Sequence, residues 1–396
     1  MVYYGLILIR KIRGGFTCYI KTPYLNEKEF HKPHIMEITV QHTDKSRISE
    51  INFDKLEFGR VFSDHMLEMV YRDGKWSDPV IKPYGPISFE PSLHALHYGQ
   101  SVFEGMKAYY SDENTINLFR LEDHHRRLNN SARRLSMPEI SEEAFIRGLE
   151  ELMKTDYKWV PKKYGHALYL RPFMFASEQY IAAKAAAEYR YYVITSPVAA
   201  YYSEGFNPVK LTTTENYVRA VRGGTGEAKA AGNYGGSFLP ARNAQTKGYT
   251  QVLWLDAIEQ KYVEEVGTMN IFFLIGDKLI TPHLGGTVLP GITRRSVIAI
   301  AKEWGVEVEE RRISIDEVFD AHKSGVLKEV FGAGTAAVIS PVGLIHHKGD
   351  TITLNQNEIG PFAKKMFDRV TGIQYGKLED KFGWTHPVAV GSEVLQ

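Results

Sequence analysis

One stretch restricts this chain more than any other: Gly223-Gly224-Thr225-Gly226-Glu227-Ala228-Lys229-Ala230-Ala231-Gly232-Asn233-Tyr234-Gly235-Gly236. It sets a single lysine among glycines and small residues. Glycine removes Cβ bulk and tolerates left-handed backbone angles, so the chain can pass close to a flat ligand. A lysine that acts as an amine nucleophile must spend time unprotonated, and a tight, partly dry pocket favours that form. The segment points to a Schiff-base lysine at Lys229, although taken alone it serves equally well as a solvated glycine-rich loop. Two other glycine motifs fit poorly. A P-loop needs Gly-Lys-Ser/Thr where Ala228-Lys229-Ala230 stands. A dinucleotide fingerprint needs a third glycine where Lys229 sits, and an apolar strand leading in.

At 396 residues the chain exceeds what one core holds, which predicts two domains. A formal charge of +1 gives no electrostatic case for nucleic acid as the main partner. The single Cys18 excludes an intrachain disulfide and a cysteine-rich zinc site, and fits a reducing, cytoplasmic setting. The apolar run at 2–9 is too short to span a bilayer and lacks a preceding basic region, so neither a membrane anchor nor a secretory signal is expected. Residues 1–35 read as a poorly ordered extension, with Met36 as an alternative start.

Local signals then divide the chain into residues 36–200, a connection at 201–207 and residues 208–396 that carry Lys229. Asp73-Gly74 marks a hairpin turn. Residues 87–92 and 101–110 read as strands, 121–135 as a helix, and 141–153 as a second helix capped by Ser141. Strands are expected at 166–175 and 189–195. Beyond the connection, strands and helices alternate, with strands at 209–213, 251–256, 262–265, 270–275 and 278–281. Helices follow at 293–304 and 361–371.

If Lys229 holds an aldehyde cofactor, pyridoxal 5′-phosphate is the best candidate. It demands an anion site for its phosphate, an acid partner for its ring nitrogen and a wall against its ring. Leu289-Pro290-Gly291-Ile292-Thr293 leads into a helix, whose first N–H groups and dipole suit a phosphate. The turn Phe331-Gly332-Ala333-Gly334-Thr335-Ala336 offers N–H groups and a hydroxyl. Glu265 is the candidate ring-nitrogen partner, and a plain strand-end glutamate is its ordinary reading. Tyr98, Phe103, Tyr169, Tyr201 and Tyr234 lie near glycines or strand ends, where an aromatic is more often core than pocket. The histidines lack metal-ligand spacing, so no metal is expected.

Several segments together resemble the branched-chain-amino-acid aminotransferases of the fold-type IV pyridoxal-phosphate enzymes. They are His97-Tyr98-Gly99-x-Ser101-Val102-Phe103-Glu104-Gly105-Met106-Lys107, Asp123-His124-x-x-Arg127-Leu128-x-x-Ser131-Ala132 and Tyr169-x-Arg171-Pro172. Lys229-x-x-Gly232-Asn233-Tyr234, Glu265-Val266-Gly267-Thr268-Met269-Asn270, Leu289-Pro290-Gly291-Ile292-Thr293-Arg294 and Gly332-x-Gly334-Thr335-Ala336 follow in order. Phe58-Gly59-x-x-Phe62-x-Asp64-His65-Met66 and Ile373-Gln374-Tyr375-Gly376 extend the match toward the longer subgroup that includes the animal enzymes. The resemblance implies an α+β fold of two domains, each a mixed sheet or barrel with flanking helices, working as a homodimer. It implies transfer of the amino group of L-leucine, L-isoleucine or L-valine to 2-oxoglutarate.

It also implies roles. Lys229 would bind the cofactor and shuttle the proton, Glu265 would pair with the ring nitrogen, and Tyr234 would bond the ring hydroxyl. Arg127, Ile292, Thr293 and Thr335 would hold the phosphate, with Thr268 among the cofactor contacts. Thr335, Ala336 and Tyr98 would hold the substrate α-carboxylate. Phe103, Tyr201 and Tyr169 would line the side-chain pocket, with Tyr169 and Arg171 reaching in from a second subunit and Arg171 accepting the side-chain carboxylate of glutamate. Ala337-Val338-Ile339-Ser340 stands where the animal enzymes carry Cys-x-x-Cys, so no thiol redox switch is expected.

Overall fold

The computed structural model describes residues 36–112, 114–199 and 207–391. The expected extension at 1–35, most of the expected connection and Tyr201 lie outside them. From Ile38 onward the described chain forms one body.

Short-range chemistry fixes several elements where the residues call for them. Asp73 and Gly74 both adopt positive φ, 52° and 77°, and close a hairpin that pairs Arg72 with Lys75. This is the doubly left-handed turn that matches strand twist. The Ser141 side chain accepts a hydrogen bond from Ala144 N at 3.2 Å and starts the Glu142–Thr155 helix, which buries Phe145, Leu149 and Leu152 on one face. The strands Val209–Thr213, Asn270–Ile275 and Lys278–Thr281 occupy the expected residues.

Other expectations fail for tertiary reasons. Residues 87–92 form no strand. The single strand expected at 101–110 is two, Ser101–Phe103 and Met106–Asp112, both pairing antiparallel with Ala167–Ala176 in one continuous register. Glu104 N donates to Pro172 O at 2.7 Å, but Pro172 has no N–H to return, so the ladder breaks opposite it.

Among the described residues, two mixed sheets carry the fold. The first runs Thr39–Val40, Val80–Pro83, His65–Arg72, Tyr189–Val198, Ala167–Ala176, Met106–Asp112, Thr115–Phe119, Thr385–Ala389. The second runs Val263–Val266, Gln251–Leu255, Val209–Thr213, Val338–His347, Leu327–Gly334, Asn270–Ile275, Lys278–Thr281, Glu307–Glu310. The last strand, Thr385–Ala389, departs from the expected grouping of 208–396 and pairs in the first sheet. Trp384 draws it there: its ring packs edge-on to Phe119 and under the Arg120 guanidinium.

The two sheets share a core. Tyr109, Phe119 and Val198 from the first meet Phe272, Phe331 and Ile339 from the second, with Val297 and Met366 of the Ile292–Glu303 and Pro361–Gln374 helices. Each such side chain contributes about 1.5–3 kcal/mol by leaving water. A cleft between the sheets is therefore walled by rigid elements on both sides.

Candidate active site

Lys229 sits at the seam of the two sheets. Its carbonyl accepts from Phe103 N at 3.1 Å, and its own N–H donates to Ser131 Oγ at 2.8 Å. Nζ donates to the Tyr234 hydroxyl at 2.7 Å and lies 4.6 Å from the Phe103 ring centre. The loop around it is stapled by Asn233, whose Nδ2 donates to Thr225 O at 2.7 Å and Ala228 O at 3.0 Å. Gly226 is needed for space, because a Cβ there would overlap Ala220 Cβ and Thr287 O.

Glu265 faces the same space from the second sheet and is buried. Its Oε1 accepts from Leu289 N at 2.6 Å and lies 3.4 Å from Arg219 Nη2. Burial pushes its carboxyl above the ordinary range, and the Arg219 charge and the Leu289 N–H pull against that push. Arg219 also donates to Gly226 O at 2.9 Å, so one guanidinium ties the carboxylate to the lysine loop.

The Ile292–Glu303 helix opens at Gly291 with no side-chain cap, which leaves its first N–H groups for a ligand. Gly291 has an ordinary φ of −65°, so its lack of a side chain serves proximity: a Cβ would overlap Asn270 Oδ1. Arg127, on the Leu121–Arg134 helix, donates from Nη1 to Pro290 O at 3.3 Å and so stands beside this helix start. Its other edge is held by Glu104: Nε donates to Oε1 at 2.7 Å and Nη2 to Oε2 at 2.8 Å. Burial alone would raise the Glu104 carboxyl, but the Arg127 charge and its hydrogen bonds hold it far below the usual range.

Thr335 and Ala336 form the turn between Leu327–Gly334 and Val338–His347. Lys107 braces this turn, donating from Nζ to Ala336 O at 2.7 Å; burial lowers its pKa to about 8. On the opposite wall Tyr169, Arg171 and Phe173 alternate along one strand and share a face, while Leu170 and Met174 point into the core. The Arg171 guanidinium lies 4.7 Å from the Phe103 ring centre and donates to the Tyr169 hydroxyl at 2.9 Å.

Twelve of the candidates thus line one cavity of about 680 Å³: Lys229, Arg127, Tyr234, Glu265, Thr268, Ile292, Thr293, Thr335, Ala336, Phe103, Tyr169 and Arg171. Tyr169 and Arg171 do not need a second subunit, contrary to expectation, because their strand pairs directly with the one that carries Phe103. Tyr98 is absent from the cavity; it is part-exposed on the His94–Tyr98 helix, its ring 4.9 Å from that of His94. Ser131, Glu104, Arg219 and Phe58 escaped assignment as site residues. Phe58 lines the mouth and packs on Tyr169 with ring centres 5.0 Å apart. The first three act through partners distant in sequence, which no local pattern reports.

The cavity has the three features that a phosphorylated pyridine aldehyde requires: an amine, a buried carboxylate and an uncapped helix start flanked by an arginine. It is also wide enough for such a ring and a small substrate. The family described as amino-transferase class IV matches residues 101–345. Branched-chain-amino-acid aminotransferase 2 of Bacillus subtilis is 51% identical over 86% of this chain and 94% of its own. The branched-chain-amino-acid aminotransferase of Mycolicibacterium smegmatis is 45% identical over 83% and 90%. Among solved structures, the branched-chain aminotransferase of Thermoproteus uzoniensis with norvaline superposes with a TM-score of 0.67 at 28% identity, covering 82% of this chain and 99% of that one. The branched-chain amino acid aminotransferase of T.th. complexed with N-(5′-phosphopyridoxyl)-L-glutamate gives 0.65 at 28%, covering 80% and 97%.

Proposed function

Because the chain belongs to the class IV aminotransferases, and within them to the branched-chain-amino-acid aminotransferases, we propose that it moves the amino group of L-leucine, L-isoleucine or L-valine reversibly to 2-oxoglutarate, giving the branched 2-oxo acid and L-glutamate. The observation that carries this reading is the meeting of Lys229, Glu265 and the helix start at Gly291 around a cavity whose far wall is apolar yet holds one arginine. Pyridoxal 5′-phosphate is the cofactor of this family; bound here it supplies the aldehyde for the amino group and a ring that takes up electrons as the Cα–H bond breaks.

The chain's own residues do the rest. Arg127, the N–H groups at Ile292 and Thr293, and Thr335 hold the phosphate. Glu265, held by Arg219 and Leu289 N, keeps a carboxylate at the ring nitrogen. Tyr234, already on Lys229 Nζ, bonds the ring hydroxyl, and Thr268 borders the ring. Lys229 Nζ takes the proton from the substrate Cα and hands it back on the way to products. Backbone N–H groups at Thr335 and Ala336 hold the α-carboxylate, with Lys107 bracing the turn from behind. Phe103, Tyr169 and Phe173 exclude water from a branched side chain. Arg171 receives the second carboxylate of glutamate or 2-oxoglutarate.

The working form is a homodimer in the cytoplasm. Tyr98, the remaining carboxylate ligand, stands apart from its own chain's cavity, exposed on the helix that also exposes Leu96, which supports its use by a second copy. Light scattering at micromolar concentration checks the dimer. The substrate reading is tested by following glutamate formation from 2-oxoglutarate with L-leucine, L-valine, D-alanine and L-phenylalanine as donors. L-leucine or L-valine should lead; D-alanine as the best donor would overturn the reading.

A further inference from the structure

Arg127 has a long side chain, and an arginine free to rotate loses rotamer entropy when it is fixed on a ligand. Here that freedom is already gone. Glu104 is fully buried in the break between Ser101–Phe103 and Met106–Asp112, and its two oxygens take the Nε–Nη2 edge of Arg127 at 2.7 and 2.8 Å. Oε2 also accepts from His124 Nδ1 at 2.7 Å and from Gly105 N at 3.3 Å. His124 and Arg127 are three residues apart on the Leu121–Arg134 helix, so both reach the same carboxylate. Paired along one edge, the guanidinium can turn only its Nη1 side and outer N–H bonds toward Pro290 and the helix start.

We propose that Glu104 is a positioning residue for the cofactor phosphate: it presets the Arg127 guanidinium at the start of the Ile292–Glu303 helix. This rests on the assignment of Arg127 to the phosphate made above. A buried ion pair is often neutral or costly for stability when set against a well-packed apolar pair. Glu104 and Arg127 keep their charges out of water at a place where the second charge has a ligand to meet. His124 fixes the carboxylate without favouring a competing cation: burial, with the Arg127 and Lys229 charges, lowers its pKa against the Glu104 contact, which raises it.

The test separates the phosphate from the ring. The full chain, freed of cofactor, is titrated with pyridoxal 5′-phosphate and with pyridoxal, which has the same ring and aldehyde but no phosphate. Binding is read by absorbance. In E104Q the dissociation constant for the phosphorylated compound should rise about tenfold to a hundredfold, the range for a lost charged hydrogen-bond pair, while that for pyridoxal stays within about twofold. The double variant E104Q/R127Q should bind pyridoxal 5′-phosphate no more weakly than R127Q alone. Equal weakening toward both compounds, no weakening, or additive losses in the double variant would overturn the proposal. If E104Q does not fold, His124→Leu keeps the ion pair and removes one brace; it should give a smaller loss confined to the phosphorylated compound, and an equal loss for both compounds counts against the proposal. R127Q with an unchanged preference for the phosphorylated compound would refute the proposal along with the Arg127 assignment. A chain that binds as expected but makes no glutamate would instead overturn the substrate reading and leave the proposal standing.

Discussion

Replacing Arg171 with methionine should split the two substrates that one pocket serves. The guanidinium lies 4.7 Å from the Phe103 ring centre and 5.2 Å from that of Tyr169, with Nη2 on the Tyr169 hydroxyl at 2.9 Å. Its Nε is buried with no hydrogen-bond partner among the described residues, so donor capacity is left for a ligand. Methionine keeps most of the stem's apolar contact and removes the donors. A hydrogen bond to a charged group contributes about 1.5–3 kcal/mol, and each 1.4 kcal/mol is tenfold. The kcat/KM for 2-oxoglutarate should therefore fall by roughly 10- to 150-fold. For 4-methyl-2-oxopentanoate, whose side chain touches only the apolar wall, it should change by less than about threefold. Single-turnover measurements with each oxo acid give both constants free of the other substrate. Equal losses for the two would refute the assignment of Arg171 to the second carboxylate and leave it as a packing residue.

Ser131→Ala should leave the Lys229 N–H without a partner and cost about 1–3 kcal/mol in urea unfolding, because the Ser131 hydroxyl joins Arg127 O to Lys229 N; a change below about 0.5 kcal/mol would contradict this bridge. Gly291→Ala should weaken cofactor retention on dialysis, since its Cβ would displace Asn270 and shift the helix start. Lys107 has a folded pKa of about 8 against an ordinary 10.5, so the unfolded chain binds more protons between these values and stability rises with pH across that window. The stability of Lys107→Met relative to the natural chain should accordingly be greatest at and below pH 7 and fall by about 3 kcal/mol between pH 7 and 10.5, on top of a pH-independent loss of the bond to Ala336 O. A constant difference from pH 7 to 10.5 would show that its burial is not the cause.

Local chemistry made part of this legible in the sequence. A turn that needs two positive φ angles selects Asp73-Gly74, and a helix that needs a cap selects Ser141, so both were visible without knowing what lay nearby. The lysine loop stood out through composition but read equally as a solvated loop, and Glu265 read as an ordinary strand-end glutamate until the resemblance gave it a ring nitrogen to meet. What stayed hidden depends on distant partners. Pro172 breaks the strand expected at 101–110 from 68 positions beyond Glu104. Glu104, Ser131 and Arg219 look like ordinary polar residues until the fold brings Arg127, Lys229 and Glu265 to them. Thr385–Ala389 is too short and too polar to read as a strand until Trp384 finds Phe119. The sequence pattern likewise could not say which chain supplies Tyr169 and Arg171; strand pairing decides that.

The central claim is that one amine, Lys229 Nζ, moves the substrate proton. Lys229→Met, loaded with pyridoxal 5′-phosphate and assayed for glutamate from L-leucine and 2-oxoglutarate, measures it directly. The rate should fall by at least about a thousandfold, within the range for removing a general base. Turnover near the wild-type rate would contradict the account.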